Sequence, residues 1–325
     1  MIDPKTIFDI QKNAAFETAA LEIFRFQAKH CLPYKEYIGY LGIHPESLER
    51  IEQIPFLPIE IFKSHKVYAG QNDPEMIFTS SATTGQTPSS HYVADLSVYE
   101  KSFTEGFTRF YGEPADYSIF ALLPNYLERS GSSLVYMADR LISAGEGGGF
   151  FLHDHDELVR SMEVAAAKGR KILLLGVSFA LWELAEKFRF DFPNLTVMET
   201  GGMKGQREEI TRDELHAILC ASFGVEKIHS EYGMAELLSQ GYSDGDGLFR
   251  CPPWMRIIIR DTCDPLEPLP AGRTGGVNLI DLANVYSCSF IETQDLGIRY
   301  ADGSFRIQGR IDKSEIRGCN LMAGG

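Results

Sequence analysis

The amino-acid sequence predicts an α/β protein with a mostly parallel sheet covered by helices on both faces and a smaller β subdomain at its C-terminal end. Two observations carry this expectation. Between about residues 76 and 233, short β-type runs alternate with helical stretches, the pattern of parallel strands joined by crossover helices. Beyond about residue 250 the helical stretches cease, while strand-length apolar runs continue between Gly and Pro turns. At 325 residues the chain exceeds a typical single core, so we divide it into an α/β core over 1–250 and a β subdomain over 251–325.

Residues 6–30 carry Ile7, Ile10, Ala14, Leu21 and Phe24 at helical spacing, which predicts one long amphipathic helix. In "IPFLPIEIFKSHKV", Pro55 and Pro58 among apolar residues predict an extended crossing segment. Strands follow at "MIFT" (76–79), "YSIFALL" (117–123), "KILLLG" (171–176), "LTVMET" (195–200) and "EKIHSEYG" (226–233). Helices lie between them near 95–110, 131–144, 155–168, 177–188 and 211–222. The runs "WMRIIIRD", "GGVNLIDL", "CSFIETQDLGIRY" and "GSFRIQGRID" then read as consecutive strands of the C-terminal piece.

A formal net charge of −14 excludes sequence-independent nucleic-acid binding, which needs basic surface to displace counterions. Local loops and a metal ion can still hold ATP on an acidic protein. No apolar run approaches the ~20 residues that span a bilayer, and "MIDPKTIFDIQKNAAF" lacks the basic start and apolar centre of a signal peptide, so a cytoplasmic location is expected. The six cysteines contain no C-x-x-C pair, which argues against a zinc site or a disulfide framework and makes each a small buried hydrophobe by default.

Five short motifs carry candidate chemistry. In "FTSSATTGQTPSSHY", a strand ends in a hydroxyl-rich turn whose Ser80, Ser81, Thr83, Thr84 and Gly85 can present backbone N–H and side-chain O–H donors to a polyphosphate, although such clusters also make plain loops. In "HSEYGMAELL", Glu236 follows Tyr232 and Gly233 at an expected helix start, suited either to Mg²⁺ or to the helix dipole. In "ETGGMKG", Gly201 and Gly202 permit close approach of a flat ligand such as a nucleobase and serve equally as a turn. Asp295 in "TQDLGIRY" and Arg310 in "IQGRID" can reach ribose hydroxyls and phosphate, or be ordinary hairpin and edge-strand residues. His91 opens the strand after the hydroxyl loop, where an imidazole charged near neutral pH can donate to a phosphate; a satisfied strand histidine is the alternative.

The order of these motifs resembles the adenylate-forming superfamily of acyl-CoA synthetases, luciferases and peptide-synthetase adenylation domains, from about Phe78 to Asp312. "LPNYLERSGSSLVYM", "HSEYGMAELLSQGY" and "RGCNLM" resemble one branch, the acyl-protein synthetases, or fatty-acid–luciferin-component ligases, with phenylacetate–CoA ligases the next. The resemblance implies the fold of the large N-terminal domain of these enzymes without their lysine-bearing C-terminal lid. It implies an ATP- and Mg²⁺-dependent ligase that makes an acyl-adenylate from a fatty or other small carboxylic acid. Tyr232 and Gly233 would contact ATP, and Tyr126, beside Arg129, would line the acyl pocket. Cys319 matches the position that takes the acyl group as a thioester for a reductase-like partner or acyl carrier, and Lys313 and Arg317 nearby favour its thiolate.

Three departures stand out: Ala82 replaces a loop glycine, no lysine follows Pro88, and Ala235 stands where Thr is usual. They keep open an acyl- or aryl-CoA-ligase-like module with a lid supplied in trans, and an inactive nucleotide- or acyl-binding module.

Overall fold

A computed structural model describes residues 3–81, 87–124, 131–201 and 210–311. The chain divides into two compact units, Met1–Asp73 with Pro253–Gly325, and Pro74–Pro252. The sequence pattern places residues 1–73 with the α/β core, whereas in the structure they pack with the C-terminal strands.

The first unit opens with helix α1 (Asn13–His30), α2 (Leu32–Tyr40), the two-residue strand β1 (Leu57–Pro58) and a single turn, α3 (Ile61–Ser64). The single helix expected over 6–30 is thus broken: a 3₁₀ turn covers Pro4–Asp9, and Ile10 and Lys12 are extended before α1 begins. Asp3 caps the start of that turn by accepting from Lys5 N–H at 3.0 Å, and the turn closes with Ile10 N–H on the Ile7 carbonyl at 3.3 Å, where the extended Ile10 separates it from α1. Cys31 is likewise extended and Pro33 sits in the first turn of α2, so the chain redirects there.

The second unit starts with the antiparallel pair β2 (Met76–Thr79) and β3 (Ser90–Val93), joined in register Phe78 to His91. Then come α4 (Leu96–Tyr111), β4 (Tyr117–Leu122), α5 (Ser133–Ala144), β5 (Gly149–Phe150), α6 (His155–Ala167), β6 (Lys171–Val177), α7 (Ser178–Lys187), β7 (Leu195–Thr200), α8 (Arg212–Phe223), β8 (His229–Tyr232), β9 (Gly241–Ser243) and β10 (Phe249–Arg250). Its sheet runs β10-β9-β8-β7-β6-β4-β5, parallel from β8 to β5 and antiparallel at β9 and β10. Every residue of β4 and six of the seven in β6 are buried, as expected for parallel strands covered on both faces. Side chains set the helix starts: Asp95, Ser132 and Asp154 cap α4, α5 and α6, and Thr211 with Glu214 forms a capping box on α8.

The chain returns to the first unit as the antiparallel strands β11 (Met255–Arg260), β12 (Thr274–Asp281), β13 (Phe290–Arg299) and β14 (Phe305–Arg310), with β1 added parallel to β13. The core of this unit joins distant segments: Phe24 and Phe56 pack edge-on against Phe290, and Phe8 against Trp254. The buried Gln27 donates to the Asn284 carbonyl at 2.8 Å and accepts from Ser289 N–H at 2.9 Å. Among the described residues no helix is long and apolar enough to cross a membrane.

Candidate functional site

In open parallel sheets, functional groups gather where the strands end at their carboxyl termini. In the second unit the carboxyl ends of β7 and β8 carry buried acidic groups. The unit's β2–β3 pair carries the hydroxyl-rich loop, anchored by Phe78, which is fully buried against Tyr99 and Tyr136. Ser80 closes the neck of the loop: its Oγ accepts from Ser89 N–H at 2.9 Å, and its own N–H donates to the Ser89 carbonyl at 3.1 Å. Ser81 follows, exposed. Thr83, Thr84 and Gly85 lie outside the described residues, as do Tyr126, Gly202 and Cys319.

His91 does not carry the charge expected of it. It is 1% exposed, burial pushes its pKa down to about 4, and its Nδ1–H donates to the Ala235 carbonyl at 2.9 Å. At neutral pH it is an uncharged strut that ties β3 to the segment after β8, across 144 positions of sequence. Glu236, on that segment, opens no helix. Met234–Leu237 is a turn closed by Leu237 N–H on the Met234 carbonyl at 3.1 Å, and the chain goes directly into β9. The helix-dipole alternative for Glu236 therefore has no helix to act on, and the carboxylate is buried.

Two carboxylates to which the sequence assigns no role dominate the strand ends. Glu199 and Glu231 lie near the ends of β7 and β8, where Glu199 pairs with Ser230 and Thr200 with Glu231. Glu199 is 4% exposed. Its carboxylate accepts from Ser178 and Ser230 hydroxyls, each at 2.9 Å, with Arg212 of α8 at 3.3 Å. His216 Nε2 stands 3.7 Å away, beyond hydrogen-bond distance and without a hydrogen-bond partner among the described residues. Burial works to raise the Glu199 pKa, but the nearby His216, the Arg212 charge and the Ser178 and Ser230 hydroxyls outweigh it and hold the group below the usual carboxylate range.

Glu231 goes the other way. Burial, only partly offset by the hydrogen bond it accepts from Thr200 and reinforced by the charge on Glu199, pushes it up to about 7. Adjacent carboxyl groups with pKa values driven apart are a mark of functional ground. Two glycines fit this geometry. Gly201 has φ +70°, which favours glycine, and its carbonyl accepts from Ser178 at 2.7 Å. At Gly233 an added Cβ would lie 2.3 Å from Glu231 Oε1. Tyr232 is half-buried and packs on Phe249.

Asp295 and Arg310 belong to the first unit. They are direct partners across β13 and β14, with Arg310 Nε 3.6 Å from Asp295 Oδ1; the arginine is mostly exposed and the aspartate mostly covered. Not all cysteines are buried as expected. Cys31 and Cys288 are, and burial pushes the Cys31 thiol up to about 11, whereas Cys220 and Cys251 are half-buried and Cys263 is exposed in a turn.

The fold is similar to that of solved adenylate-forming ligases. The structure resembles 2-hydroxyisobutyryl-CoA ligase in complex with 2-HIB-AMP, with a TM-score of 0.71 and 16% identity over 93% of this chain and 69% of that one. It also resembles ATP-bound MatB from Rhodopseudomonas palustris, with a TM-score of 0.56 and 18% identity over 74% of this chain; it spans about half of the MatB chain, 49%. Within that fold, residues 2–102 and 150–324 match the LuxE acyl-protein synthetase family, and the chain belongs to it. Long-chain-fatty-acid–luciferin-component ligases of Vibrio harveyi and Aliivibrio fischeri are 26% and 23% identical, over 89% and 92% of this chain and 82% and 85% of their own lengths.

Proposed function

We propose that this protein activates a fatty acid with ATP as an acyl-adenylate and transfers the acyl group to a protein cysteine. The carboxylate oxygen attacks the α-phosphorus of ATP as the bond to pyrophosphate breaks. The sulfur of Cys319, as thiolate after loss of its proton, then attacks the acyl carbon, and AMP leaves with the electron pair of the broken C–O bond. An acyl-CoA-reductase-like protein or acyl carrier is the partner that takes the acyl group on.

The observation that carries this reading is the 2.9 Å bond from His91 to the Ala235 carbonyl, which holds the strand of the hydroxyl loop against the turn bearing Glu236. Chemistry of this kind is mainly positioning and electrostatics, and it needs a phosphate loop beside a metal-binding carboxylate. In this reading Ser80, Ser81, Thr83, Thr84 and Gly85 hold phosphates, Gly201 and Gly202 face the adenine, Tyr232 and Gly233 contact ATP, Asp295 takes the ribose, and Arg310 takes the ribose or α-phosphate. Tyr126 lines the acyl pocket. A single buried carboxylate such as Glu236 suits Mg²⁺, which keeps waters and takes one or two protein oxygens beside substrate phosphates. Bound there, the ion supplies positive charge at the phosphates. The names of the Vibrio and Aliivibrio relatives support a long-chain fatty acid as the carboxylate.

Incubation with ATP, Mg²⁺ and a panel of labelled fatty acids is expected to release pyrophosphate and leave an acyl adduct visible by intact mass. Cys319→Ser is expected to keep pyrophosphate release and lose the adduct. An adduct that survives the substitution removes the thioester step, and no pyrophosphate with any carboxylate removes the activity altogether.

A further inference from the structure

We propose that Arg260 and Thr293 form a buried clamp that aims Asp295, which makes Arg260 a positioning residue for recognition of the ribose hydroxyls; the assignment rests on the ribose role proposed for Asp295. Asp295 lies in an irregular stretch of β13. Register shifts occur between Gly276 and Asn278 on the β12 side, which leaves Thr293 to Asp295 opposite Val277, and between Leu296 and Gly297 on the β14 side, so Asp295 lies within the first irregularity and next to the second. Bulges re-aim side chains, and their geometry has to be held by something.

Thr293 is the pivot. Its Oγ1 donates to the Val277 carbonyl at 2.7 Å and accepts from Asp295 N–H at 3.0 Å. Arg260, 5% exposed, holds the same points from below: Nη1 donates to the Val277 carbonyl at 3.1 Å and to Asn278 Oδ1 at 3.0 Å, and Nη2 donates to the Thr293 carbonyl at 2.8 Å. Glu292 Oε1 lies 3.3 Å from Nη2. One planar fork therefore grips both strands of the bulge, which a lysine ammonium, a point donor, does not reproduce.

The surroundings are shaped to this guanidinium. A Cβ on Gly276 would stand 2.5 Å from Arg260 Cζ, so the glycine leaves the space the fork occupies. Burial works against the charge, and the carboxylates Glu292 first, then Glu60 and Asp295, support it. Glu60 is itself fixed by Gln294 Nε2 at 2.7 Å, next to Asp295 in sequence. Desolvating a buried cation is costly, and an apolar residue in its place would hold a plain β-sheet as well. Its hydrogen bonds go to the residues on either side of the bulge that leads to Asp295.

The test is calorimetric binding of ATP, 2′-deoxy-ATP and 3′-deoxy-ATP to the full chain, which needs no acyl substrate. Wild type is expected to prefer ATP by about tenfold or more, the cost of leaving a polar site unpaired. Asp295→Ala is expected to lose that preference. Thr293→Val, which keeps shape and removes the hydroxyl, is expected to reduce it at least about threefold, with Thr293→Ser restoring it. Arg260→Met and Arg260→Lys are expected to behave as Thr293→Val, and if Arg260→Met fails to fold, the Thr293 pair and Arg260→Lys decide. Clamp variants that keep the full preference while Asp295→Ala loses it overturn the clamp alone. A wild type that binds ATP without regard to the ribose hydroxyls overturns the clamp together with the ribose role, and one that binds no ATP overturns the proposed function as well.

Discussion

Glu231 and His91 make opposite demands on pH. The folded pKa of Glu231, about 7, is above its ordinary value of 4.5, so the stability it contributes is present below about pH 4.5 and is lost as pH rises through about 7. That of His91, about 4, lies below 6.5, so its contribution is present above pH 6.5 and is lost as pH falls through about 4. A tenfold change in an acid dissociation constant corresponds to about 1.4 kcal/mol, so ionising Glu231 in place costs on the order of 3 kcal/mol. Glu231→Gln, which keeps an acceptor for Thr200 without the titration, is therefore expected to melt close to wild type near pH 5 and above it at pH 8. A melting difference that stays flat across that range removes the protonated carboxyl from the account. Neither residue's state was legible in the sequence, because burial decides both. His91 reads either as a phosphate donor or as a satisfied strand histidine until its strand is seen to be covered, and Glu231 sits in a short run where either face is plausible.

The elements were far more legible than the groups between them. The strand at 195–200 has the expected bounds, and those at 117–123 and 171–176 are matched to within a residue, the latter two because parallel strands buried on both faces are near-continuous apolar runs. The helices from α4 to α8 begin within two residues of where periodicity puts them. The failures are local: the 3₁₀ turn over Pro4–Asp9 closes at the extended Ile10 before α1 begins, and the turn at Met234–Leu237 replaces the helix expected at Glu236. Junctions between elements were invisible. Ser178, the first residue of α7, holds the end of β7 through Glu199 Oε2 at 2.9 Å and the Gly201 carbonyl at 2.7 Å, a link that requires knowing which strands are neighbours. Ser178→Ala removes a hydrogen bond to a charged group and is expected to lower stability by about 1.5–3 kcal/mol. Urea denaturation measures this, and a loss under about 0.5 kcal/mol, the level of an inconsequential surface change, would show that Arg212 and Ser230 suffice for Glu199.

The division into two units was the least legible feature, since the contacts that join residues 1–73 to the C-terminal strands, such as those of Leu57 and Gln27, span more than two hundred positions. Leu57 pairs with Ile291, and Gln27 reaches Asn284, 257 residues on. No window of sequence contains both partners of either contact. Gln27 offers the sharper test. Its amide also touches the Val285 carbonyl at 2.9 Å and Ser289 Oγ at 3.1 Å, so a single buried side chain satisfies several backbone and hydroxyl groups of the segment between β12 and β13. Gln27→Leu conserves approximate volume but leaves those groups without partners, at an expected cost of about 2–4 kcal/mol. The chain has two tryptophans, Trp182 in the second unit and Trp254, fully buried against Phe8, in the first. In a Trp182→Phe background Trp254 fluorescence therefore reports on the first unit alone, and adding Gln27→Leu is expected to move its urea midpoint downward by an amount matching that loss. An unmoved Trp254 transition would mean that the aromatic contacts of Phe8, Phe24 and Phe290 hold residues 1–73 to the C-terminal strands without help from the polar bridge.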